Sequence, residues 1–142
     1  MRIRTMLAGV PLAVAGLSQA ASAASCPNLN SHPGITTVYV QSDFADKDQA
    51  SKAYVASLQE AVKKSLSFCL IEDVRATTFS LNVAGIDIDE EHERAAISVV
   101  LISEKNTLVT HFVRLSSVAN VEKNGRDDLV KIDRAIQRAK RH

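Results

Sequence analysis

From residue 35 onward the apolar positions change period three times, and each change marks an element. Ile35 to Val40 is rich in Thr, Val and Tyr and reads as a short strand. Tyr54, Leu58, Ala61, Val62, Leu66 and Cys69 then recur at intervals of three and four, which predicts a helix with one apolar face. Lys52, Gln59, Lys63 and Ser67 fall elsewhere on it. Asp46-Lys47-Asp48-Gln49 matches a capping box, placing the helix start near Asp46. Glu60 and Lys64 are spaced as a helix-surface ion pair.

The period then returns to two. In Thr77 to Asp89, Phe79, Leu81 and Val83 share one side, and the apolar parity flips to Ile86 and Ile88 across Ala84-Gly85. One extra residue reverses the facing of a strand, so the flip predicts a bulge there. Ala95 to Ser103 is nearly continuously apolar and reads as a central strand. Glu104 to Thr107 is a turn, and Leu108 to Leu115 is a last strand whose two faces resist separation. After a polar connection ending at Gly125, a helix is expected from Arg126 or Asp127, where Asp127 and Asp128 suit its positive end. Its buried stripe is Leu129, Ile132, Ala135, Ile136 and Ala139.

Three consecutive strands with short turns form an antiparallel meander. Two helices with one apolar stripe each cover one face of the sheet. The first strand joins through a helical crossover, parallel to the second. The expected fold is therefore α+β, in the order β-α-β-β-β-α. Two helices lie on one face of a four-stranded, mainly antiparallel sheet, in a single domain over 35–142. This layout is similar to that of small periplasmic accessory proteins of Gram-negative envelope assembly, at the level of topology only, and a fold does not by itself give a function.

The beginning of the chain follows a different pattern. Arg2 and Arg4 precede an apolar run from Met6 to Leu17, and small residues close it at Ala20 to Ala24. This reads as a secretory signal peptide over 1–23, cut after Ala23 by the A-x-A rule. The run is about a dozen residues, where a membrane span needs about 20. Residues 24–34, with two prolines, a glycine and two asparagines, form a leader loop. Export predicts a periplasmic or secreted protein with no transmembrane span after cleavage. A lipid anchor at Cys26 is the alternative, disfavoured by Ala23 three residues before it and Pro27 behind it.

Export changes the meaning of the two cysteines. An exported chain with two cysteines most simply pairs them, so Cys26 and Cys69 are expected to form a disulfide. If Cys69 ends the first helix, it returns to the start of the first strand, near Cys26. The bridge closes about 44 residues, worth roughly 4 kcal/mol in chain entropy. No C-x-x-C pair points to redox work.

Charge excludes one class of partner. The chain has 17 basic and 16 acidic residues, and without Arg2 and Arg4 the balance is 15 against 16. A near-neutral exported domain offers no field for nucleic acid.

Candidate chemistry is sparse. Asp87, Asp89, Glu90, Glu91, His92 and Glu93 crowd one hairpin turn, a density of oxygen ligands that would suit a hard cation. The EF-hand pattern and the second histidine of a zinc-protease helix are both absent, so no metal or other cofactor is assigned. The turn otherwise serves as a solvated, charged cap on an apolar meander. Lys131, Arg134, Arg138 and Arg141, with Lys140 beside them, form a basic stripe on the last helix. It fits an acidic partner or anionic head groups, or simply the solvent face of the helix. His111 sits in an apolar strand, and no G-x-S-x-G, P-loop or dinucleotide glycine pattern accompanies it.

These readings lead to a non-enzymatic exported interaction module. It binds a protein or envelope partner through an exposed sheet edge or the basic helix face. An inhibitor or immunity-type protein using the acidic turn 87–93 is the alternative, and a small hydrolase based on His111 a more distant one. Partner identity and oligomeric state are not legible.

Overall fold

The computed structural model describes Cys26 and residues 34–141. The signal-peptide reading over 1–23, and the leader loop except Cys26 and Gly34, lie outside the described residues. The elements run β1 (Thr36–Asp43), α1 (Gln49–Lys64), β2 (Phe68–Leu70), β3 (Phe79–Asp87), β4 (Arg94–Ser103), β5 (Leu108–Ser117) and α2 (Val121–Ala139), with short 3-10 turns at Val74–Ala76 and Val118–Asn120.

The fold is α+β, with both helices packed into one core against one face of the sheet. Among the described residues the sheet has five strands rather than four, in the order β2-β1-β3-β4-β5. β1 is parallel to β2 and β3, and β3-β4-β5 is an antiparallel meander. The added strand is Phe68–Leu70, paired from Thr36↔Phe68 to Val38↔Leu70. It lies where the helical spacing was expected to continue. Ser65 turns extended and its N–H reaches back to Val62 C=O, which ends α1 at Lys64. Leu66, expected on the buried stripe, is 95% exposed. Cys69 sits on β2, not on the helix.

Burial alternates cleanly along β3 and β4. Phe79, Leu81, Val83, Ala95, Ile97, Val99 and Leu101 meet Tyr54, Leu58 and Val62 of α1 and Ile132 and Ile136 of α2. At roughly 1.5–3 kcal/mol per fully buried large apolar side chain, this layer dominates the folding free energy.

Three local expectations are corrected. No bulge occurs at Ala84-Gly85, because the β3–β4 register runs unbroken from Phe79↔Ser103 to Asp87↔Ala95. The parity flip has another cause. Gly85 holds the inward position, where a Cβ would collide with the Ser51 hydroxyl of α1. Ile86 and Ile88 simply face outward, at 70% and 45% exposure. The register shift lies instead at Leu101/Ile102, opposite the start of β5. The first helix is capped by Asp48, not Asp46, with its carboxylate accepting from Ser51 N–H at 2.8 Å. The surface pair on that helix joins Glu60 to Lys63, at 3.2 Å.

The second helix begins five or six residues early, at Val121. Gly125 is not a helix boundary but a contact point within the helix. A Cβ there would lie 2.6 Å from Ser57 Oγ and 3.1 Å from Leu58 N of α1, so only glycine lets the helices approach. Val121, Asn124, Gly125 and Asp128 extend the buried stripe toward the N-terminus. Ile132, Ala135 and Ile136 are buried as expected, Leu129 is half-buried, and Ala139 is exposed.

Candidate functional site

The helices cover one face of the sheet, and among the described residues nothing covers the other. Cross-strand registers arrange that open face in rows. One row is Ile86, Ala96 and Leu115; the next is Ala84, Ser98 and Val113. Ile86, Val113 and Leu115 are each more than 60% exposed, as is Leu108 at the start of β5. Contiguous exposed apolar side chains of this kind mark interaction surfaces more often than scattered single ones do.

The patch borders a free sheet edge. Among the described residues β5 is an outer strand, ten residues long and paired only with β4. Edges normally carry proline, lysine or an inward charge that discourages further pairing. Leu108–Ser117 contains no proline and no lysine, and its one inward charge, Arg114, is already paired with Asp128. The opposite edge differs: β2 is three residues long and carries Cys69. That cysteine pairs with Cys26 across a Cα–Cα distance of 5.7 Å, within the usual disulfide range.

A buried polar network sets the position of β5. Asp128, fully buried on α2, accepts from Tyr54 O–H at 2.8 Å and from Arg114 Nη2 at 2.7 Å. Arg114 Nε also lies 2.6 Å from Asp128 Oδ2, and Nη1 donates to Asn124 Oδ1 at 2.6 Å. Asn124 in turn donates to Ser116 Oγ at 2.9 Å. Burial, reinforced by the Asp128 charge and hydrogen bond, pushes the Tyr54 hydroxyl far above the usual tyrosine range, so it stays a donor. One carboxylate therefore ties α1, α2 and β5 together. Asp128 does not serve the helix N-terminus, as its sequence position implied.

The basic stripe divides. Lys131 is drawn to Asp128 at 3.1 Å and lies 5.1 Å from the centre of the Phe112 ring, which makes it part of this network. Arg134, Arg138 and Arg141 are exposed. The acidic turn divides too. His92 adopts φ 61, and its carbonyl accepts from Gln49 N–H and Ala50 N–H at the start of α1. Its Nδ1 is bonded to Asp87, whose carboxyl is held below the usual range first by that hydrogen bond. Asp89 accepts from Arg94 N–H. Asp87, Asp89 and His92 thus build the turn and dock it on α1, while Glu90, Glu91 and Glu93 project outward exposed. Among the described residues no group of three or more His, Cys, Asp or Glu is placed to hold a metal ion. His111 lies on the open face with Nε2 3.2 Å from Ser98 Oγ, an exposed cross-strand pair, and among the described residues no carboxylate bonds its ring to orient it as a base.

No family model matches the chain, and no curated protein does. Among solved structures it is similar to that of the protein XCC0632 from Xanthomonas campestris, of the family model DUF330. The TM-score is 0.60 at 6% identity, covering 77% of this chain and 89% of that one. Likeness at that identity shows the α+β fold alone.

Sequence reasoning missed Arg114 and Asp128, although both carried a signal. Arg114 shares the parity of Phe112 and Ser116, the inward side of β5. Asp128 is four residues after Asn124 and four before Ile132, on the buried stripe of α2. Opposite charges on two facing apolar stripes predict a buried pair.

Proposed function

We propose that this protein is an exported, non-enzymatic interaction module that binds an extended segment of a protein partner along β5. The observation that carries this reading is the ten-residue edge without proline or lysine, bordered by an exposed apolar row. Strand addition supplies backbone hydrogen bonds along such an edge, and alternate side chains of the added strand supply specificity. Here those side chains would lie against Val113 and Leu115 of the open face. The disulfide supports an oxidising compartment, and no helix among the described residues is long and apolar enough to cross a membrane.

Capture from cell-envelope extract tests the reading. Val113→Glu with Leu115→Lys should abolish capture of the partner, because both side chains are exposed and their loss leaves the core intact. Charge reversal at Arg134 and Arg138 should leave capture unchanged. Loss of capture only on neutralising Glu90, Glu91 and Glu93 would refute the edge and favour the inhibitor-type reading.

A further inference from the structure

Where the β4–β5 turn meets the last turns of α2, the fold leaves a cleft of about 500 Å³. That volume lies within the range of small-molecule sites, roughly 300–1,000 Å³. Its apolar walls come from Phe79 of β3, Leu108 and Val109 of β5, and Ala135 and Ala139 of α2. The two alanines keep α2 thin there. The register shift at Leu101/Ile102 inserts Val109 as an extra residue, and it packs against the core.

The same cleft is lined by Lys105, Arg138 and Lys140, against a single acid, Glu104. The C-terminal end of α2 adds roughly half a negative charge, which still leaves the cleft at about +1.5. Lys140 is held in place by its bond to Thr36 Oγ1 at 2.8 Å. Arg138 also lines a neighbouring depression with Arg134, Arg141 and the acid Asp133. It therefore stands where the apolar cleft passes into the basic stripe.

We infer that this cleft binds a free anionic amphiphile with a single alkyl chain, its carboxylate at Arg138 and its chain against Leu108, Val109 and Ala139. The inference stands apart from the β5-edge reading, because Val113 and Leu115 do not line the cleft.

Calorimetric titration of the disulfide-bonded protein with monomeric dodecanoate tests it. Saturable one-to-one binding is expected. 1-Dodecanol should bind about tenfold more weakly or worse, the worth of one charge-assisted hydrogen bond, and acetate should not bind. Arg138→Glu should weaken dodecanoate by a similar factor. Ala139→Phe, at an exposed position, should block the cleft, and Leu108→Glu gives a second blocking change should that variant not fold. Absence of dodecanoate binding, or binding indifferent to Arg138→Glu and to the blocking change, overturns the proposal. Binding to anionic lipid vesicles without binding of free dodecanoate also overturns it, and assigns the basic stripe to a membrane surface instead.

Discussion

Arg114→Met isolates the buried ion pair at the junction of α1, α2 and β5. Methionine keeps much of the stem volume of arginine and removes the guanidinium. Asp128 would then remain fully buried, with Tyr54 O–H and the half-exposed Lys131 as its remaining donors. Asn124 would lose a donor at 2.6 Å. Breaking a buried pair by removing one partner costs about 3–5 kcal/mol, mostly from the stranded charge. Asp128→Asn should cost less, about 1–3 kcal/mol, because the amide oxygen still accepts from Tyr54 and the partly exposed Arg114 can reach water. The double variant should cost clearly less than the two single changes together, since the first removal already strands the second group. Urea unfolding followed by far-UV circular dichroism reads these values, provided the slope with denaturant stays constant. A cost below about 1 kcal/mol for Arg114→Met, or strict additivity in the double variant, would refute the view that this pair holds β5.

The remaining predictions concern the disulfide, the helix contact and the acidic turn. Cys69→Ser removes a bridge across a sequence separation of 43 and should cost about 4 kcal/mol in equilibrium unfolding. A mass measurement of the native protein should show no free thiol. Gly125→Ala should destabilise by about 1–3 kcal/mol, because its Cβ meets the backbone of Leu58 at 3.1 Å, which cannot swing aside; an unchanged melting temperature contradicts the packing. The carboxyl of Asp87 is depressed chiefly by its bond to His92. Its contribution to stability is therefore present above the ordinary aspartate pKa of about 3.9 and is lost as pH falls through the depressed value. His92→Ala should return the Asp87 titration, followed by NMR, toward the ordinary value.

Patterns of two and of three to four carried most of the fold. β3 and β4 alternate, α1 and α2 each show one stripe, and together they place both helices on one side of the sheet. Failures occurred where a second cause produced the same pattern. Leu66 and Cys69 continue the helical spacing, yet a three-residue strand has no period of its own to oppose it. Gly125 looked like a helix boundary because glycine usually breaks helices, whereas here close packing on Ser57 outweighs that preference. The candidate site was obscured because β5 is apolar on both parities: Phe112 faces the helices, Val113 and Leu115 the open side. The registers with β4 separate the two faces directly, whereas the sequence offers only the weak parity of Phe112, Arg114 and Ser116.

Photo-crosslinking in intact cells tests the central claim most directly. A photoreactive residue replacing Val113 or Leu115 lies on the open face beside the free edge, and one replacing Arg134 lies on the exposed helix face across the core. A discrete crosslinked partner is expected from Val113 and Leu115 and none from Arg134. A crosslink from Arg134 alone would contradict it.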